Sequence, residues 1–193
     1  MPRRVLLLCA IVCVCAAGSA FSPTVIAPTF DELVSKASLI FVGETVEARS
    51  VWETTRENRR IVTIVTFDVV RVIKGSVGLR TQLTFLGGRV GDEGMEIAGM
   101  PKFQSGDRDV LFVSAERSVA SPLVGMWHGR FRLEQDPGGG EWLVRSFDGK
   151  PLLLGFDARG PSGVLSPSSG PLRLSALESA VRERLTSQSD RNR

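Results

Sequence analysis

The stretch Ile61–Ile73 constrains this chain most. Ile61, Thr63, Val65, Phe67, Val69, Arg71 and Ile73 alternate with Val62, Ile64, Thr66, Asp68, Val70 and Val72. Thirteen residues of this β-branched and aromatic content predict a strand more than twice the usual length. Both of its faces are apolar over the first half. That pattern suits a central strand, or one coiled strongly enough to serve two layers. Lys74-Gly75 ends the run, so a sheet has to be assembled around this element.

Further strand patterns supply the partners. Leu39–Ala48 is apolar at its start and alternates after Gly43. Residues 53–60, ETTRENRR, predict a charged hairpin tip between the two long strands. Gln82–Leu86 and Asp109–Ser114 are shorter strands, with a glycine-rich loop at 87–99 and a Gly106-Asp107 turn between them. Leu123–Leu133 and Glu141–Ser146 predict a late hairpin around Asp136-Pro-Gly-Gly-Gly140. Two short helices flank the strands. Thr29-Phe-Asp-Glu32 is a capping box opening a helix at 30–37 with Phe30, Leu33, Val34 and Ala37 on one side. Ser175-Ala-Leu-Glu178 has the same pattern before a helix at 175–186, whose Leu177, Val181 and Leu185 recur at helical spacing. Residues 155–173, rich in glycine and proline, predict an irregular arm, and 187–193 a disordered tail.

The N-terminus predicts export. A basic Met1-Pro-Arg-Arg4, an apolar run from Val5 to Ala17 and the small residues Gly18-Ser19-Ala20 form the three parts of a secretory signal. The apolar run spans about 20 Å as a helix, short of a ~30 Å hydrocarbon core. Cleavage would leave a chain starting at Phe21 and located in a periplasm or outside the cell. It would also remove Cys9, Cys13 and Cys15, the chain's only cysteines. A cysteine nucleophile, a disulfide and a thiolate metal site are then excluded. Loss of Arg3 and Arg4 from 24 basic residues leaves 22 against 21 acidic ones. That balance, without a basic stripe, argues against nucleic acid. No second apolar run of membrane length follows, so no membrane association is expected after cleavage.

Few residues point to chemistry. Gly87-Gly-Arg-Val-Gly-Asp-Glu-Gly94 lacks the Gly-Lys-Ser/Thr ending of a phosphate loop and the spacing of a dinucleotide loop. It reads as a β-loop in which Arg89, Asp92 and Glu93 are candidate binding residues. His128 is the sole histidine, and its neighbours include Trp127 and Arg130. No Gly-x-Ser-x-Gly elbow accompanies it. Asp31-Glu32, Asp92-Glu93 and Asp107 with Asp109 sit at predicted turns or caps, where local roles account for acids. Trp52, Trp127 and Trp142 suit packing first and a glycan face second.

Three segments carry a resemblance. They are Ala37–Val46, Thr63–Gly75 with its terminal Lys-Gly, and Gly106-Asp-Arg-Asp-Val-Leu-Phe-Val113. In this order they resemble the OB-type barrel of the tissue-inhibitor-of-metalloproteinases and netrin-module superfamily, and uncharacterised secreted bacterial proteins of similar layout. The resemblance covers residues 37–113. It implies a barrel and a binding role. The animal inhibitors chelate protease zinc through an N-terminal cysteine, which a chain beginning at Phe21 lacks, so that mechanism is not carried over.

The sequence therefore predicts a single, mostly β domain over 21–186. Its expected centre is an OB-like antiparallel barrel at 37–116, with a short N-terminal helix and a C-terminal helix. The predicted core is Leu39, Phe41, Val65, Phe67, Val69, Leu83, Leu111 and Val113. The predicted function is a monomeric, non-catalytic binding module for a protein partner, a protease being one candidate, without cofactor or metal. The candidate surface is Arg89, Asp92, Glu93, Trp127, His128 and Arg130. The alternatives are an envelope or glycan-binding module using the tryptophans, and a hydrolase with a carboxylate site around Asp92, Glu93 and His128.

Overall fold

A computed structural model of the chain describes residues 28–56, 58–116, 118–150 and 171–191. The predicted signal peptide, the predicted lead-in before Pro28 and residues 155–170 of the predicted arm lie outside the described residues. Helix α1 spans Phe30–Lys36. Its capping box forms: the Thr29 hydroxyl accepts from the Glu32 amide, and the Glu32 carboxylate accepts from the Thr29 amide at 2.8 Å. Phe30, Leu33 and Val34 are buried. Lys74 closes the other end, donating from Nζ to the Val34 carbonyl at 2.8 Å, and partial burial pulls its pKa below the ordinary lysine value.

The sheet follows. Its strands are β1 (Ala37–Thr54), β2 (Arg59–Lys74), β3 (Arg80–Leu86), β6 (Arg108–Ser114), β7 (Arg130–Gln135) and β8 (Trp142–Arg145). They pair antiparallel in the order β3-β2-β1-β6-β7-β8. The β1–β2 ladder runs from Ile40↔Lys74 to Thr54↔Arg59 and shifts register at three places along β1. Alternate side chains of β1 serve two cores, Ile40 and Val42 on one face and Phe41 on the other. The mostly β fold with two flanking helices agrees with the sequence. The barrel does not: the sheet has two ends, β3 and β8, and no ladder joins them among the described residues. The outer side of β8 is instead met by the chain at Leu172–Arg173.

One core lies under the helices. Phe30, Leu33, Val34, Ile40, Val42, Val110, Phe112, Phe131 and Val144 pack there with Leu174, Leu177 and Val181 of helix α2 (Leu174–Arg191). The other core holds Phe41, Val65, Phe67, Leu83, Phe85, Leu111 and Leu123, closed by Phe103 from a loop. Of the predicted core, Leu39, Val69 and Val113 are half-buried at its margin and the rest are buried.

Four local expectations change. The long strands stay paired as far as Thr54↔Arg59, beyond the start of the predicted 53–60 tip, with Thr55 N–H donating to Asn58 O at 2.8 Å. The late hairpin begins at Arg130, because Gly125 and Met126 both take φ of 63° and turn the chain. The second capping box does not form: Glu178 is buried against Arg71 (2.7 Å) and Arg182 (3.1 Å), and the Ser175 amide donates to Glu141. Helix α2 continues to Arg191, taking in residues 187–191 of the segment predicted as a tail.

Candidate functional site

The glycine-rich segment is not a plain loop. It folds into a second, two-stranded sheet of β4 (Gly88–Val90) and β5 (Glu93–Met95). Gly91 and Asp92 form its two-residue turn, with Gly91 at φ +59° in the first central position, as a type II′ turn needs. The hairpin folds back over the turn-proximal part of β1 and β2, at Ser50 and Thr63. Gly88, at φ +134°, makes this possible: a Cβ there would lie 2.3 Å from the Ser50 hydroxyl and 2.4 Å from that of Thr63. Ser50 and Thr63 hydrogen-bond to each other at 3.0 Å. The Thr63 hydroxyl also donates to Gly87 O, and the Arg89 amide donates to Ser50 Oγ at 3.3 Å.

Between this hairpin, the sheet and residues 95–103 lies a groove of about 560 Å³, within the usual range for binding pockets. Phe85 and Phe103 form an aromatic pair with ring centroids 5.0 Å apart. Met95, Ile97 and Met100 add flexible apolar surface, and Arg89, Glu96 and Lys102 supply the charges. Lys102 and Glu96 lie 3.6 Å apart and are both highly exposed, a pair of little energetic consequence.

The candidate residues divide by role. Arg89 lines the groove; Asp92 and Glu93 occupy the hairpin turn and its exit, exposed and away from the lining. Trp127 supports the wall from beneath, its ring against Gly99, where a Cβ would fall 2.6 Å from Cζ3. His128 packs with Trp127 and Phe147 at centroid distances of 5.5 and 5.3 Å. Burial pulls its imidazole below the ordinary histidine value. No hydrogen bond joins it to Asp92 or Glu93 among the described residues.

Arg130, predicted for the surface, is buried. It is 3% exposed and grips Asp109, which is fully buried. It also donates to Asp107 at 3.0 Å and to the Lys102 carbonyl at 2.7 Å, with its guanidinium over the Phe103 ring. Arg130 thus fixes the groove wall at Lys102-Phe103. Trp52 and Trp142 are covered by Arg59 and Arg108 at 3.9 and 4.6 Å. Sequence reasoning missed Phe103, Met95, Ile97 and Met100, which belong to no motif. The Gly87-Gly88 pair was the available signal, because paired glycines after a strand permit close backbone approach.

Among the described residues no group of three His, Cys, Asp or Glu side chains is placed to hold a metal ion. No helix among them is long and apolar enough to cross a membrane. No protein-family model matches the chain, nor does any curated protein or solved structure.

Proposed function

We propose that this protein is an exported, non-catalytic binding module for a protein partner, acting through the groove beneath the β4–β5 hairpin. The groove itself carries the reading. Its floor is apolar and aromatic, its lining contains no histidine, and its two hydroxyls, Ser50 and Thr63, are engaged with each other and with Gly87. Such a surface suits recognition better than proton transfer. Export rests on the Met1–Ala20 signal pattern. An OB-like origin of the sheet belongs to the same proposal, supported by the long bulged β1 pairing with β2 on one side and β6 on the other. A protease remains a candidate partner on the resemblance alone.

The test is affinity capture from secreted material with the wild-type protein and Gly88→Val, read by mass spectrometry. The variant's side chain would push the hairpin off Ser50 and Thr63. A partner retained by the wild type and lost by a folded variant supports the proposal. Hydrolysis of ester, glycoside or peptide substrates by the purified protein would replace it with the enzyme alternative.

A further inference from the structure

Resting on that reading, we infer that the groove takes a partner's peptide in which a large apolar side chain lies next to a carboxylate. The apolar group lies against Met95, Ile97 and Met100, over the closed Phe85–Phe103 pair, and the carboxylate pairs with Arg89.

Charge selects the anion. Lys102 lies beside Glu96, whereas Arg89 has no ion pair among the described residues. Its guanidinium is nevertheless placed: it lies along Gly94, 3.5 Å from where a Cβ would be, and donates to the Asp92 carbonyl at 3.5 Å. An arginine held in this way offers the rest of its fork to a carboxylate.

The backbone selects a peptide. With Gly91-Asp92 as the hairpin turn, Val90↔Glu93 is the closing pair and Arg89↔Gly94 the next. Ladder alternation turns the N–H and C=O of that next pair outward. The Arg89 amide confirms the phase by donating to Ser50 outside the hairpin. Gly94, on the opposite edge, lines the groove, and its outward N–H and C=O have no partner among the described residues. An extended chain lying there gains main-chain hydrogen bonds beside the Arg89 charge.

The test uses fluorescence anisotropy on the intact chain with a fluorescein-labelled Gly-Ser-Gly-Ser-Leu-Phe peptide bearing a free C-terminus, its C-terminal amide, and laurate as competitor. Saturable binding of the free acid, at least about tenfold tighter than the amide, is expected. Arg89→Ala should abolish that difference, and Arg80→Ala, at an exposed cation outside the groove lining, should keep it. Equal binding of acid and amide, no saturable binding, or laurate binding without peptide binding would each overturn the inference. A captured partner that Arg89→Ala retains but Gly88→Val loses would leave the binding-module reading intact and remove only this ligand assignment.

Discussion

Arg130 and Asp109 form a two-pronged ion pair inside the protein, Nε to Oδ1 and Nη2 to Oδ2, both at 2.9 Å. Burial pushes the Asp109 carboxyl above its ordinary pKa, and the Arg130 fork pulls against that. The pair costs desolvation and repays it through geometry. Removing one partner leaves the cost alone. Arg130→Met should destabilise the fold by about 3–5 kcal/mol in urea unfolding. Arg130→Lys should recover little, since an ammonium cannot reproduce the fork. In Arg130→Met, Asp109 must be neutral in the fold while the unfolded carboxyl ionises near 3.9. A raised folded pKa means that the folded state holds the extra proton, so the variant should lose stability as pH rises above about 4. Unchanged stability between pH 4 and 7 would show that Asp109 finds another partner.

Thr45 presents the opposite case. It is 1% exposed, and its hydroxyl has no hydrogen-bond partner among the described groups. A buried hydroxyl left unpaired costs roughly 1–3 kcal/mol. Thr45→Val keeps the shape and the β-branching while removing the orphan. We expect a raised midpoint in thermal or urea unfolding, and a lowered one would mean that the hydroxyl is satisfied by water.

The Lys74-Gly75 pair is a clamp between strand and helix. Lys74 Nζ satisfies the Val34 carbonyl near the C-terminus of α1, where a cation also suits the helix dipole. Gly75 takes φ +79°, and a Cβ there would fall 2.5 Å from Ser38 O. Lys74→Met should cost about 1–2 kcal/mol. Gly75→Ala should cost more, because strain and clash add. Hydrogen exchange of the α1 amides should accelerate in both variants. Uniform protection of α1 would show that the clamp contributes nothing.

Strand identity was legible because it depends on local alternation, and β2 is the clearest instance. The α1 capping box was legible for the same reason: Thr29 and Glu32 are three residues apart and pair within one turn. The second box failed because a tertiary partner, Arg71, competes for Glu178 and wins. Barrel closure depends on whether β3 meets the far end of the sheet, and no local pattern encodes that. The site was half legible. Arg89 could be singled out from a glycine-rich loop, but Phe103 and Met100 acquire meaning only when the hairpin folds over the sheet. Arg130 looked like a surface cation because its acids, Asp107 and Asp109, lie more than twenty residues away in sequence.

His128 offers a clean titration, as the chain has no other histidine. Burial against Trp127 and Phe147 disfavours the charged imidazole and lowers its pKa. A lowered folded value means that the unfolded chain binds the proton first. The stability from neutral His128 is therefore fully present above about 6.5 and is lost as pH falls through the folded value. The Cε1 proton resonance should titrate below 6.5 in the folded protein, and Phe147→Ala should move its midpoint up by opening the ring cluster. Trp127 fluorescence should fall over the same range as the imidazolium forms beside the indole. Because Trp127 rests on Gly99, between the groove residues Ile97 and Met100, the same acid range should weaken binding in the groove. A midpoint at or above 6.5, unmoved by Phe147→Ala, would show that His128 is solvated and uncoupled from the groove.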